Sequence, residues 1–161
     1  MGLKFNAAEV LDLGVQIEKN GRVFYEAASK NAKAGNAKAI FEHLAKEEDH
    51  HLAAFLKMQQ DAEKTAEPET YDGEYADYVR MLAGDNIFTK ADAGKRASEN
   101  LKNDSEIIEA ALKFEKDSVI LFQGMLEGMP EKEKKIVDEM VKEELKHIKH
   151  LYILKKACGI K

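Results

Sequence analysis

The chain is poor in the residues that build covalent cross-links and thiolate metal sites, with one cysteine among 161 residues. Because Cys158 is alone, an intramolecular disulfide and any metal module made of several cysteines are excluded. Only two prolines are present. The composition is rich in Ala, Glu, Lys and Leu instead, which favours an all-α chain.

Long apolar runs are also lacking. None approaches the roughly 20 residues that a membrane span needs, and the stretch from Met1 to Glu9 has no apolar region typical of a signal peptide. The net charge of −5 argues against nucleic acid as a main partner. We therefore expect a cytoplasmic protein without a membrane or nucleic-acid partner, folded as a single domain over residues 1–161.

Two Glu-x-x-His motifs stand out, formed by Glu48 with His51 and by Glu144 with His147. Each interrupts an apolar stripe at helical spacing, and the two stripes align with an offset of 96 residues. A carboxylate on a core-facing stripe is costly unless something positive meets it. Two such interruptions at corresponding positions of the two helices therefore indicate a metal site.

Two further glutamates, Glu18 and Glu115, each lie inside an apolar stripe, and these stripes align with an offset of 97 residues. A small residue follows three positions later in both, Gly21 in one and Ser118 in the other. The chain is therefore interpreted as an internal duplication of a helix pair. In each pair one helix carries a lone Glu and the other carries Glu-x-x-His.

Four Glu and two His are the ligands of the dinuclear sites found in helix bundles. Two divalent ions carry four positive charges, which four carboxylates neutralise if the imidazoles stay neutral. Carboxylate oxygens with a minority of imidazole suit iron or manganese, and no thiolate is offered for zinc or copper. We expect two iron ions, with manganese or a mixed pair as the alternative.

A third Glu-x-x-His, Glu47 with His50, overlaps the first by one residue. Its helical neighbours, Lys46 among them, are typical of a solvated face, whereas Glu48 and His51 share their stripe with apolar residues. We therefore predict that Glu47 and His50 lie outside the site.

Capping residues and apolar periodicity predict four long helices joined by short turns, except between the second and third. That connection has roughly 39 residues, enough to follow a helix of about 28 residues along its ~42 Å length. It would set the third helix parallel to the second, the long-crossover variant of the four-helix bundle. Predicted caps are Asn6 with Glu9, Asn36, and Asn103 with Glu106. The predicted bundle helices span about 7–33, 37–64, 104–127 and 130–157, with short crossover helices at about 73–83 and 90–101.

These segments resemble the ferritin-like superfamily and, within it, the rubrerythrin-like diiron proteins. The resemblance lies in residues 18–25, 45–51, 114–122 and 142–147, one segment in each bundle helix. It makes Tyr25 a candidate neighbour of the metals, with core packing around a polar tip as the alternative interpretation. It also implies that Glu18 and Glu115 are terminal ligands, that Glu48 and Glu144 bridge the two irons, and that His51 and His147 bind one iron each.

The sequence departs from that family pattern in two ways. Rubrerythrins proper carry a small Cys₄ iron domain, which a chain with one cysteine does not contain. They also have an additional Glu three residues after the third-helix ligand, where this chain has Ser118. Because that Glu is tied to the family's peroxide-reducing cycle, its replacement by Ser118 counts against peroxidase activity, although the six predicted ligands are retained.

Three functions are compatible with this pattern. The first is a diiron oxidoreductase that reacts with hydrogen peroxide or dioxygen and takes electrons from an external donor, as in defence against oxidative stress. The second is iron oxidation for storage or transfer. The third is a metal-dependent structural or sensing domain without turnover. By analogy with ferritin-like chains we expect a homodimer.

Overall fold

The computed structural model describes residues 7–64 and 73–160, which contain six α-helices and no strand. Within this part of the chain, no helix combines the length and the apolar composition of a membrane span. A 3₁₀ turn, Ile87–Thr89, lies between the third and fourth helices. The helices are α1 (Ala7–Asn31), α2 (Gly35–Glu63), α3 (Gly73–Asp85), α4 (Ala93–Glu99), α5 (Asp104–Leu126) and α6 (Glu131–Ala157).

The four long helices form the predicted bundle. In the pairs α1/α2, α2/α6 and α5/α6, residues early in one helix contact residues late in the other, so each pair is antiparallel. It follows that α2 and α5 are parallel, and the long crossover between them is confirmed. The contacts that fix these directions are Asp12–Gln59 and Arg22–Asp49, Asp61–Lys132 and His51–Glu143, and Glu109–Lys155 and Glu115–His147.

One buried amide, that of Asn20 on α1, fastens the crossover to the bundle. Its Nδ2 donates to the carbonyl oxygens of Phe88 at 2.5 Å and Lys90 at 2.8 Å, and its Oδ1 accepts from the backbone N–H of Gly94 at 3.1 Å. A Cβ at Gly94 would overlap the Asn20 carbonyl group, so glycine permits this close approach of α4 to α1. The anchor lies two residues from Glu18.

Helix boundaries differ from the predicted ones by a few residues. The long helices end within about two residues of expectation, and the first crossover helix extends to Asp85. The second is shorter than predicted, because residues 87–89 form the 3₁₀ turn and α4 begins only at Ala93, after Asp92 with a positive φ of 56°. Short helices of this kind are set by tertiary packing more than by propensity.

The predicted caps have three different outcomes. Asn103 is confirmed, because its side chain accepts from the backbone N–H of Glu106 at 3.0 Å. The prediction that Asn36 caps the second helix is wrong, because α2 begins at Gly35 and its N-cap residue, Ala34, has no capping side chain. The cap that includes Asn6 lies outside the described residues.

Asp104 holds the turn that precedes α2. Its carboxylate accepts from the backbone N–H groups of Lys33 at 2.8 Å and Ala34 at 2.9 Å. This acid is the first residue of α5, so the turn of one helix pair is held by the other pair. A contact that crosses 70 residues of sequence cannot be inferred from local capping rules.

Candidate metal centre

All six predicted ligands lie in the interior at one level of the bundle. The four carboxylate residues are at most 1 % exposed, and the two histidines are 3 % exposed. They come from all four long helices, with the lone Glu residues on α1 and α5 and the Glu-x-x-His motifs on α2 and α6. The buried set is Glu18, Glu48, His51, Glu115, Glu144 and His147.

The six side chains form two groups of four, each with its candidate ligand atoms within 4.8 Å of one another. Glu18 and His51 belong only to the first group, and Glu115 and His147 only to the second. Both groups contain the same other two acids, Glu48 and Glu144. Two adjacent cation positions that share two carboxylates have this arrangement, and it matches the division into terminal and bridging ligands that the resemblance implies.

Both imidazoles turn Nδ1 toward the carboxylates. In His51, Nδ1 lies 2.9 Å from Glu144 Oε1 and 3.4 Å from Glu18 Oε2. In His147, Nδ1 lies 2.9 Å from Glu144 Oε2 and 3.6 Å from Glu115 Oε1. Ligands at neighbouring positions on one ion, with bonds of about 2.1 Å, are about 3 Å apart. The separations are therefore those of atoms that could share a cation.

Unsatisfied polar atoms test whether this site fits a metal pair. Buried polar atoms in proteins are normally hydrogen-bonded, yet seven candidate ligand atoms here make no hydrogen bond of acceptable geometry among the described residues, although His51 Nδ1 and Glu144 Oε1 lie 2.9 Å apart. Divalent cations would satisfy all of them and neutralise the acids, so the residues fit a di-metal site. The seven atoms are both carboxylate oxygens of Glu18 and of Glu48, Oε2 of Glu115, Oε1 of Glu144 and Nδ1 of His51.

The protonation of the metal-free site follows from its burial. Burial is the main cause that raises the pKa of three carboxyls, those of Glu18, Glu48 and Glu115. Burial acts on Glu144 in the same direction, but the two adjacent imidazoles outweigh it and lower the pKa of this carboxyl. For the imidazoles burial acts to lower the pKa, yet the carboxylates raise it to about 12 for His51 and about 10 for His147. Cations must therefore displace protons from the site.

Tyr25 lies beside the centre, as the resemblance implies. Its hydroxyl donates a short hydrogen bond to Oε1 of Glu115. Burial, reinforced by the charge of Glu115, raises the pKa of Tyr25 well above its usual value, so the hydroxyl remains a donor. The matching residue in the other helix pair, Phe122, cannot donate, and its ring packs against Phe55 with centroids 5.3 Å apart.

Glu143 is a functional contact that the sequence analysis missed. Its Oε2 lies 2.7 Å from Nε2 of His51, the ring nitrogen that faces away from the carboxylates. The matching residue Glu47 lies in the same Lys-Glu-Glu sequence but contacts the exposed His50 instead, at 3.6 Å. The position three residues later differs, since Glu47 is followed there by His50 and Glu143 by Lys146. That difference does not by itself place Glu143 against His51.

Gly21 makes room for a predicted bridging ligand. A Cβ at this position would overlap Oε2 of Glu48 and would lie 2.6 Å from the ring of Phe114. The matching residue Ser118 is buried, and its Oγ has no hydrogen-bond partner in the described chain. The position where the family carries an additional Glu is therefore filled by a small, unsatisfied hydroxyl.

The structure also separates the two overlapping motifs. The side chain of His50 is 77 % exposed and that of Glu47 is 28 % exposed, so both lie outside the buried centre, as predicted. His43 and His150 are exposed as well.

A comparison with protein families gives a match to Rubrerythrin over residues 9–158. The chain belongs to the rubrerythrin family. A crystal structure from Thermotoga maritima, described as a ferritin-like diiron-carboxylate protein, has a similar fold, with a TM-score of 0.69 and 22 % sequence identity. The alignment covers 97 % of this chain and 98 % of that one. No curated protein sequence matches the chain.

Proposed function

We propose that the centre holds two iron ions and reduces hydrogen peroxide or dioxygen with electrons from an external donor. The observation that carries this proposal is the pair of four-ligand groups that share Glu48 and Glu144. When bound, two ferrous ions would supply two electrons, the number that converts hydrogen peroxide and two protons into two waters. Membership of the rubrerythrin family and the similarity of the fold to a protein described as diiron-carboxylate support iron as the metal.

The residues around the centre keep it dry and hold its ligands in place. Phe55, Phe114 and Phe122 are at most 1 % exposed and belong to the apolar core of the bundle in which the acids are buried. In such surroundings the ligands interact strongly with charge, because water does not screen them. Tyr25 orients Glu115, and Gly21 leaves space for Glu48. These residues would hold the ligands in position for the iron pair.

Rapid mixing of the anaerobically loaded ferrous protein with hydrogen peroxide, and separately with dioxygen, tests the proposal. We expect oxidation of the bound iron much faster than that of free ferrous iron in the same buffer, followed by re-reduction on addition of a donor. Glu144→Ala is the negative control, because it removes a shared carboxylate and should load little iron. Oxidation of the loaded protein no faster than that of free iron would contradict the proposal.

Iron oxidation for transfer is the second candidate, and Ser118 is the observation that favours it. Four carboxylates neutralise two ferrous ions, but two ferric ions carry two further positive charges. No fifth carboxylate lies among the buried residues of the described centre, since Ser118 stands where the family has an additional Glu. The two further negative charges would have to come from outside the protein, so the chain itself would hold the oxidised pair less completely.

Iron retention after oxidation separates the two functions. In a redox enzyme the iron stays bound through repeated cycles of oxidation and reduction. In an iron-handling protein it leaves after one oxidation, and Ser118→Glu should then increase retention. Light scattering adds a second criterion, because a monomer or dimer excludes a storage shell. Strong stabilisation by metal with only background oxidation would indicate a structural or sensing role instead.

A further inference from the structure

The two histidines of the centre are supported differently on their outer side. Nε2 of His51 is hydrogen-bonded to Glu143 across the α2/α6 interface at 2.7 Å, while Nδ1 faces the acids. The side chain of Glu143 is 42 % exposed, so this bond closes the outer edge of the centre. His147 has no corresponding bond from Nε2 within the described residues, and its contacts are made through Nδ1.

The duplication makes this difference informative. Glu47 precedes Glu48 as Glu143 precedes Glu144, so a symmetric centre would place Glu47 against His147. Glu47 lies instead on the solvent side beside His50. The charge is therefore retained in both halves, but the hydrogen bond to a ligand imidazole is present in only one.

The two terminal carboxylates differ in a complementary way. Both oxygens of Glu18 are without a hydrogen-bond partner and are available to a cation. One oxygen of Glu115 already accepts the hydroxyl of Tyr25. A cation beside Glu18 and His51 therefore meets a free carboxylate and an oriented imidazole. A cation beside Glu115 and His147 meets a carboxylate with one oxygen already hydrogen-bonded to Tyr25. The imidazole there has no hydrogen bond from Nε2 within the described residues.

A carboxylate on the outer nitrogen of a metal-binding imidazole fixes its tautomer, orients the ring and makes the ligand more basic. Loss of such a partner typically weakens metal affinity by about 10–100-fold. The hydrogen bond therefore favours one position of the pair.

We propose that the two metal positions are inequivalent: the position formed with Glu18 and His51 fills first and more tightly, and Glu143 is the positioning residue that makes it so. This inference rests on the di-metal role proposed above. It assigns an order of loading to a centre whose ligand inventory is symmetric.

Titration of the metal-free full-length chain with Co²⁺ under anaerobic conditions tests this order. Calorimetry gives the affinities, and the visible absorption of bound Co²⁺ reports its coordination independently of any activity. We expect two phases of about one ion each, with the tighter phase weakened about 10–100-fold in Glu143→Ala. Glu143→Gln should restore most of the affinity, because the amide oxygen still accepts a hydrogen bond.

Glu47→Ala is the matched control, because it removes the same charge at the matching position without removing a bond to a ligand. It should leave both phases within about twofold of the unaltered chain. Binding of both ions in one phase of equal affinity, or equal weakening by Glu47→Ala and Glu143→Ala, would overturn the inference and leave the proposed function standing. Failure to bind Co²⁺, Mn²⁺ or Fe²⁺ at all would overturn both.

Discussion

The first hairpin, α1 with α2, and the second hairpin, α5 with α6, offer the same ligands but support them differently. Each gives one lone Glu and one Glu-x-x-His at the same level of the bundle. Beyond the ligands the two halves diverge: Tyr25 matches Phe122, and Gly21 matches Ser118. The two halves share the candidate ligands and differ in the residues around them.

The supporting contacts cross between the hairpins. Tyr25 belongs to the first hairpin and holds Glu115 of the second, while Glu143 belongs to the second and holds His51 of the first. Asp104 likewise fastens the turn of the first hairpin from the start of the second. A complete centre therefore requires both hairpins to be docked, which links metal binding to the folding of the whole bundle.

The largest expected effect distinguishes shared from terminal carboxylates. Glu48→Ala or Glu144→Ala removes a ligand from both groups and should reduce the metal content from about two ions per chain to well below one. Glu18→Ala or Glu115→Ala removes a ligand from one group and should leave about one ion. Elemental analysis of protein loaded and desalted without oxygen gives these numbers. Equal losses in all four variants would contradict the division into two groups.

The pair Gly21 and Ser118 gives the next effect, because the same substitution should act in opposite directions. Gly21→Ala ordinarily stabilises a helix by about 1 kcal/mol, but here its Cβ would overlap Glu48 and should cost about 1–3 kcal/mol through overpacking. Ser118→Ala removes a buried hydroxyl without a partner and should be neutral or stabilising by up to about 1 kcal/mol.

Urea unfolding of the metal-free variants measures both changes, and metal content reports the displacement of Glu48. A stable Gly21→Ala variant with full metal occupancy would show that the close approach of Glu48 to α1 is not required.

The pH dependence of metal stabilisation should follow from the raised pKa values. Glu18, Glu48 and Glu115 have raised pKa values, as do His51 and His147, so the metal-free centre retains protons that cations displace. Because protons are released on loading, affinity should rise with pH. One proton displaced per ion corresponds to about tenfold per pH unit.

Thermal unfolding with and without Mn²⁺ checks this, and the rise in Tm caused by the metal should be larger at about pH 8 than at about pH 6. A rise in Tm that is independent of pH would indicate ligands that are already deprotonated in the metal-free protein.

The smallest expected effect concerns the hydroxyl of Tyr25. Tyr25→Phe removes the bond to Glu115 and should cost about 1–2 kcal/mol of stability, because the bond is buried and has a carboxyl acceptor. Tyr152→Phe is the matched control, since Tyr152 is 54 % exposed and the same change there should stay within about 0.5 kcal/mol. Equal effects at the two positions, measured by urea unfolding, would show that the hydroxyl of Tyr25 makes no stabilising bond to Glu115.

Most of this architecture could be read from the sequence because the fold repeats. An apolar stripe interrupted by Glu48 and His51, and again by Glu144 and His147, fixes which faces of the helices turn inward. The lone acids Glu18 and Glu115 supply the rest of the inventory. The long crossover followed from the number of residues between α2 and α5.

What the sequence could not supply are contacts that depend on how the two hairpins dock. Asn36 has the local pattern of a cap, yet Asp104, distant in sequence, holds that turn. Glu47 and Glu143 share the local sequence Lys-Glu-Glu, and the approach of α6 to α2 decides which one meets the imidazole of a predicted ligand. Tertiary docking therefore decides the asymmetry between two locally similar segments.

Anomalous diffraction from crystals of the protein loaded with Mn²⁺ or Fe²⁺ tests the central claim most directly. Two anomalous peaks should lie between Glu48 and Glu144, one also bound by Glu18 and His51 and the other by Glu115 and His147. At limiting metal the peak beside His51 should be the stronger. Peaks only at surface acids, with the six buried side chains binding no ion, would contradict the account.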